Sequence, residues 1–229
     1  MIRAIICDFG GVLTTPLLRS FMAFQDQTGI SGKSLGKAML RILEREGVHP
    51  LYELEKGRIS EADYLAKVAA ELEEELDHRP RMVSFSEIFF AALDPNEPMI
   101  DTMRHAKAAG YRMALLTNNV REWEPLWRAM LPVDEIFELV VDSAFVGMRK
   151  PEPEIYHLTL DRLRAHDEAE LGDLEFGDCL FIDDFEVNCR AARELGVEAI
   201  QFESNEQAVP EIRGALGLTE PAKTGMPGS

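Results

Sequence analysis

Basic residues are scarce in this chain. Its 229 residues include 41 aspartates and glutamates but only 24 lysines and arginines, a formal net charge of −17. A protein that grips a phosphate backbone needs surplus cations, so nucleic acid is not an expected partner. Anionic membrane surfaces are disfavoured for the same reason. Cysteine is also sparse. Cys7, Cys179 and Cys189 have no metal-ligand spacing and leave one thiol over from any pair. Cys7 and Cys179 fall in apolar runs where a thiol packs as a small core residue, and the expected compartment is the reducing cytoplasm. No apolar run is long enough to span a bilayer, and the first residues do not read as a secretory leader. The five histidines, at positions 49, 78, 105, 157 and 166, are scattered at no ligand spacing. Internal repeats and low-complexity segments are missing too.

What is present is an ordinary globular composition, 46% hydrophobic and 28% charged. The run from Ile2 to Cys7 is almost wholly apolar and reads as a strand buried on both faces. It ends in Asp8, then Gly10 and Gly11, which let the backbone turn sharply and approach a ligand. About eighty residues of helical periodicity follow. Helices are expected over Pro16–Gln27, Ser34–Glu46, a stretch opened by Ser60 as N-cap, and Phe85–Leu93. The carboxylate run from Glu71 to Asp77 reads as a solvated helix face.

From Asp94 onward, strands and helices alternate. Strands are expected at Arg112–Leu116, Phe137–Val141, Cys179–Ile182 and Glu198–Phe202, with helices between them, one of them ending at Gly110 and another at Gly196. The alternation predicts an α/β fold, a doubly wound, Rossmann-like parallel sheet covered on both faces. Residues 1–14 and 94–217 would form this core, 15–93 an inserted helical domain, and 218–229, rich in Gly, Pro, Thr and Ser, a disordered tail.

Three of the expected strands end in polar groups: Asp8, Thr117-Asn118 and Asp183-Asp184. In a parallel sheet these ends share one edge, the edge at which ligands bind. Three carboxylates that close raise one another's pKa unless a cation offsets them, and a hard Mg²⁺ suits such oxygen donors. Lys150, just before a helix, adds positive charge, and turn amides and helix N-termini favour an anion. Metal, lysine, hydroxyl and amides together describe a phosphate pocket in which Asp8 could act as nucleophile.

Four segments resemble the four motifs of the haloacid dehalogenase-like hydrolases. They are Cys7-Asp8-Phe9-Gly10-Gly11-Val12-Leu13, Leu115-Leu116-Thr117-Asn118-Asn119, Gly147-Met148-Arg149-Lys150-Pro151 and Phe181-Ile182-Asp183-Asp184-Phe185-Glu186-Val187-Asn188. The stretch from Phe181 to Ile200 is most similar to the subgroup containing the phosphatase domain of soluble epoxide hydrolase. The resemblance implies a Mg²⁺-dependent phosphatase acting on a small phosphorylated metabolite through an aspartyl-phosphate on Asp8. It implies that the metal is held by Asp8, the Gly10 carbonyl and Asp184, with Asp183 close by or acting through water. Thr117, the Asn118 amide, Gly10 and Lys150 would hold the phosphoryl group, with Lys150 also catalytic. The helical block would be a cap that closes over the site.

One position departs from the family pattern. Most such phosphatases carry a second Asp two residues after the nucleophile, where this chain has Gly10. A positioned acid–base contributes about 10²–10⁴-fold in rate. Three outcomes are open: a cap residue or water substitutes, the substrate carries a good leaving group, or the domain binds a phospholigand more than it turns one over. A metal-independent dehalogenase, with Asp8 attacking carbon, is a further alternative, and the paired acids Asp183 and Asp184 weigh against it. Gly32-Lys33-Ser34 lacks the earlier glycine of a P-loop, and Asp8-Phe9-Gly10 lacks the rest of a kinase. Trp123 and Trp127 read as packing residues. The stretch Tyr52–Arg58 reads as a plain helix end, with facing the crevice as the alternative, in which Glu53 or Arg58 could touch substrate.

Overall fold

The computed structural model describes residues 1–78, 80, 82, 85–167 and 171–218. The proposed tail, from residue 219 on, lies outside the described residues; Leu218 packs in part against the core. Strand β1 (Ala4–Cys7) is followed by five helices, α1 (Leu18–Thr28), α2 (Gly32–Glu46), α3 (Pro50–Glu55), α4 (Glu61–Leu76) and α5 (Phe85–Ala91). Alternation then begins with α6 (Glu97–Ala108), β2 (Arg112–Thr117), α7 (Glu124–Arg128), α8 (Val133–Ile136) and β3 (Leu139–Asp142). It continues with α9 (Ser143–Val146), α10 (Pro153–His166), β4 (Cys179–Asp183), α11 (Glu186–Glu194), β5 (Glu198–Gln201) and α12 (Asn205–Leu216).

The five strands form one sheet in the order β3-β2-β1-β4-β5. Every pairing is parallel, with Cys7 level with Leu115 on one side and Ile182 on the other. Successive strand side chains point to opposite faces, and the core divides accordingly. Ile5, Cys7, Met113, Leu115 and Ile182 join the apolar sides of α6 and α12. Ala4, Ile6, Ala114, Leu116 and Phe181 join those of α10 and α11. Both faces are therefore covered, which is why the strand interiors are apolar and polar residues such as Arg112, Thr117, Asp183 and Glu198 stand only at strand ends. All three cysteines are free and buried.

The helices α1 to α5 pack around a separate cluster that includes Phe24, Ile42, Leu54, Val68, Leu72 and Phe85. The chain leaves the sheet and returns to it side by side: Thr14 pairs antiparallel with Pro95, and Asn96 N donates to Leu13 O at 2.9 Å. Ser60 caps α4 as its sequence suggests, accepting from Asp63 N.

Several boundaries differ from the sequence reading. β1 begins at Ala4, and β3 begins at Leu139 because Phe137 closes α8 and is buried in the core. Trp123 and Trp127 stand in two elements, a 3₁₀ turn over Arg121–Trp123 and then α7, where the pair suggests a single short helix in the sequence. The acidic run is not uniformly solvated either, since Glu71 is buried and pairs with Arg45 and Arg41.

Candidate active site

Asp8 follows β1 directly, and its amide donates to Ile182 O at 2.8 Å, which holds it level with the end of β4. The Asp8 carboxylate meets the ammonium of Lys150, whose Nζ lies 2.7 Å from Asp8 Oδ1 and 2.6 Å from Asp183 Oδ2. Lys150 is 1% exposed, and a lysine is almost never buried without such partners. The loop bearing it is fastened to the end of β2: Lys150 N donates to Asn118 Oδ1 at 2.8 Å, and Asn118 Nδ2 donates to Lys150 O at 3.0 Å. Thr117, the last residue of β2, is buried beside this clasp.

Asp183 and Asp184 do different things. Asp183 is fully engaged, with Oδ2 on Lys150 and Oδ1 accepting from Phe185 N and Asn188 Nδ2, each at 2.9 Å. It thereby ties the lysine to the start of α11. Asp184 has a buried Oδ1 with no hydrogen-bond partner. Its Oδ2 lies against Gly11, where a Cβ would sit 2.5 Å away. Gly11 has φ +79°, so both conformation and space require glycine there. Carboxylate oxygens of Asp8, Asp183 and Asp184 all lie within 4.8 Å of one another.

One ammonium cannot neutralise three carboxylates. Burial raises the Asp8 pKa above its ordinary value, Lys150 opposes the rise, and Asp183 and Asp184 add to it. Burial, and then Asp183, raises that of Asp184. Burial alone would lower Lys150, but the attraction of Asp183 and Asp8 outweighs it and the net shift is upward. The cluster has a deficit of positive charge and one orphaned buried oxygen. A small divalent cation with oxygen ligands answers both, so the residues present fit Mg²⁺.

A cavity of about 490 Å³ opens from Asp8, Gly10, Thr117, Asn118 and Lys150 into the helical block. Its far walls are mainly apolar, with Phe21, Leu51, Tyr64, Phe85, Phe89 and Trp123 among them. Glu55 and Arg149, neither of them singled out as a site residue in the sequence, also line it. Arg149 Nε donates to Glu55 Oε2 at 2.6 Å, and its guanidinium lies 4.0 Å from the centre of the Tyr52 ring. Glu53 and Arg58, the side chains that could have touched substrate, pair with each other at 3.0 Å and do not line the cavity. Trp127 packs against Phe9 as expected, whereas Trp123 both stacks with Phe85 and lines the cavity.

The model of the haloacid dehalogenase-like hydrolase family matches residues 2–196. The chain belongs to the haloacid dehalogenase-like hydrolases. This hydrolase is 26% identical to rat bifunctional epoxide hydrolase 2 over 96% of its own length, but it spans only 40% of that protein. It is 27% identical to the phosphorylated carbohydrates phosphatase of Thermotoga maritima, covering 96% of this chain and 94% of the relative. Its fold is similar to that of a family enzyme from Bacteroides thetaiotaomicron solved with magnesium and inorganic phosphate. The TM-score is 0.64 at 22% identity, over 91% of this chain and 98% of the other. Among the described residues no helix is long and apolar enough to cross a membrane.

Proposed function

We propose that this hydrolase is a Mg²⁺-dependent phosphatase that cleaves a small phosphorylated metabolite through an aspartyl-phosphate on Asp8. The observation that carries the reading is the convergence of Asp8 and Lys150, which line one cavity, with the unpartnered Asp184 carboxylate close to Asp8. Mg²⁺ would be held by Asp8, the Gly10 carbonyl and Asp184, with Asp183 behind them orienting Lys150. When bound, it supplies positive charge to the phosphoryl oxygens and to the acids around it.

The chain's own groups do the rest. Asp8 attacks phosphorus as the nucleophile. Thr117 Oγ1, the Asn118 amide and the Lys150 ammonium hold the phosphoryl oxygens, and Lys150 offsets charge as it develops. Gly10, beside the nucleophile, joins them through its backbone. The helical block acts as a cap that keeps water from the site and selects the organic group. Its aromatic and aliphatic lining favours an organic group that is itself largely apolar. The three free buried thiols support a cytoplasmic, reducing compartment. A dehalogenase reading would leave the Asp184 oxygen without a role.

The test is phosphate release from a panel of sugar phosphates, acyl phosphates, nucleotides and aryl phosphates, with Mg²⁺ and with EDTA. Release that requires Mg²⁺ supports the reading. Inertness toward the whole panel, or activity that survives EDTA, overturns it.

A further inference from the structure

Gly10 leaves the position two residues beyond the nucleophile without a side chain. Leu17 fills the space beside it: a Cβ at Gly10 would already meet its methyl carbons at 3.3–3.4 Å. A proton must nevertheless reach the departing oxygen, and the attacking water must lose one. Among the described residues lining the cavity, the carboxylates are Asp8 and Glu55 alone. Asp8 is held by Lys150 and serves as nucleophile. Building on the phosphatase reading, we propose that Glu55, on α3 of the helical block, is the general acid and base that replaces the missing group.

The geometry favours this role over a purely structural one. Glu55 Oε2 accepts from Arg149 Nε, while Oε1 makes no hydrogen bond and is not among the sealed, unpartnered atoms. One oxygen is fixed by Arg149, the other makes no hydrogen bond, and the residue lines the cavity. The end of α3 is seated firmly on the sheet domain. Lys56 pairs with Glu152, and Arg149 stacks on Tyr52. Gly57, at φ +64°, packs so closely on the Ala144 carbonyl that any side chain would collide with it. Arg149 immediately precedes Lys150, so the same loop positions the phosphate-binding ammonium and the carboxyl group. The charged and titratable groups around Glu55 are Arg149, Lys150 and the Tyr64 hydroxyl. Burial raises the Glu55 pKa, and the attraction of Arg149 and Lys150 only partly offsets that rise. A proton is thus held closer to neutrality than on an exposed glutamate, as a general acid requires.

An Asp8 oxygen bonds to phosphorus, the bond from phosphorus to the organic oxygen breaks, and its electron pair remains on that oxygen, which takes the proton of Glu55. Water then bonds to phosphorus and gives a proton to the Glu55 carboxylate. The bond between Asp8 and phosphorus breaks, the Asp8 carboxylate is restored, and phosphate leaves. Glu55 ends protonated, as it began.

The test compares wild type with Glu55→Gln, which keeps an acceptor for Arg149 but cannot pass a proton. In single turnovers with Mg²⁺, alcohol release from an alkyl phosphate should fall by about 10²–10⁴-fold. Release of p-nitrophenolate, a leaving group that needs no proton, should change by less than about tenfold. Steady-state hydrolysis of p-nitrophenyl phosphate should then show a burst of one phenolate per enzyme followed by slow turnover. Glu55→Ala should recover alkyl-phosphate turnover when formate is added. Equal losses on both substrates, no loss on either, or no rescue by formate would overturn the role of Glu55. A wild-type protein inert toward both substrates would instead overturn the phosphatase reading beneath it.

Discussion

The Lys150 ammonium lies 2.7 Å from the Asp8 carboxylate, and both groups are buried. The same ammonium holds Asp183, so removing it strands acids that have no other cation within the described residues. Losing one partner of a buried ion pair costs about 3–5 kcal/mol. Lys150→Met keeps much of the chain's volume and should lower thermal stability by that amount. The loss should be largest at neutral and alkaline pH and should shrink on acidification, as the stranded carboxyls take up protons. Denaturant melts at pH 5 and pH 8 check this, and equal losses at both would contradict it.

Gly11 and Asp184 are locked together by space as well as by conformation. A Cβ at Gly11 would lie 2.5 Å from Asp184 Oδ2, and φ +79° is costly for any other residue. Gly11→Ala should therefore destabilise by about 1–2 kcal/mol from backbone conformation alone. It should also displace the Asp184 carboxylate and raise the Mg²⁺ concentration for half-maximal activity by about tenfold or more, equivalent to about 1.4 kcal/mol. A Mg²⁺ titration of the variant reads this out, and an unchanged midpoint would contradict it.

The pH dependence of the metal-free protein follows from the crowded acids. Asp8 and Asp184 have folded-state pKa values above their ordinary ones, with burial as the main cause. An acid raised in this way holds its proton longer folded than unfolded. Its contribution is neutral below the ordinary carboxylate range, near about 4, and becomes destabilising as pH rises above that. Mg²⁺ binds the deprotonated acids and so competes with protons. Its stabilisation, about 2.7 kcal/mol at a hundredfold excess over Kd, should be present at pH 8 and small at pH 5. Differential scanning calorimetry with and without Mg²⁺ at both pH values measures the difference. Asp184→Asn should reduce it.

The sheet was legible because each strand is a short apolar run closed by a polar group. Asp8, Thr117 and Asp183 could be located from that pattern, since a strand buried on both faces admits polar residues only where it ends. The burial of Lys150 could not be read from composition, because it depends on Asp8 and Asp183, both distant in the chain. Its place just before a helix suggested a charge near the same edge, and the motif resemblance assigned it to the site. Glu55 lay in a stretch that could face the crevice, but nothing picked it out from its neighbours. It ends a six-residue helix, and its direction is set by Arg149, ninety-four positions away. Glu53 and Arg58 looked equally suitable in sequence, yet they satisfy each other near the surface. The onset of β3 was misplaced for a similar reason: Phe137 is apolar enough for a strand but is taken up by the close of α8.

The most direct test is the rate of phosphate release from p-nitrophenyl phosphate with Mg²⁺, comparing wild type with Asp8→Asn. The substitution preserves size and the hydrogen bond from Lys150 but removes the nucleophilic charge. With a melting temperature showing that the variant is folded, turnover should fall by at least about 10³-fold, toward the level left when a nucleophile is removed. A folded Asp8→Asn protein that keeps a tenth or more of wild-type turnover would contradict covalent catalysis at this residue.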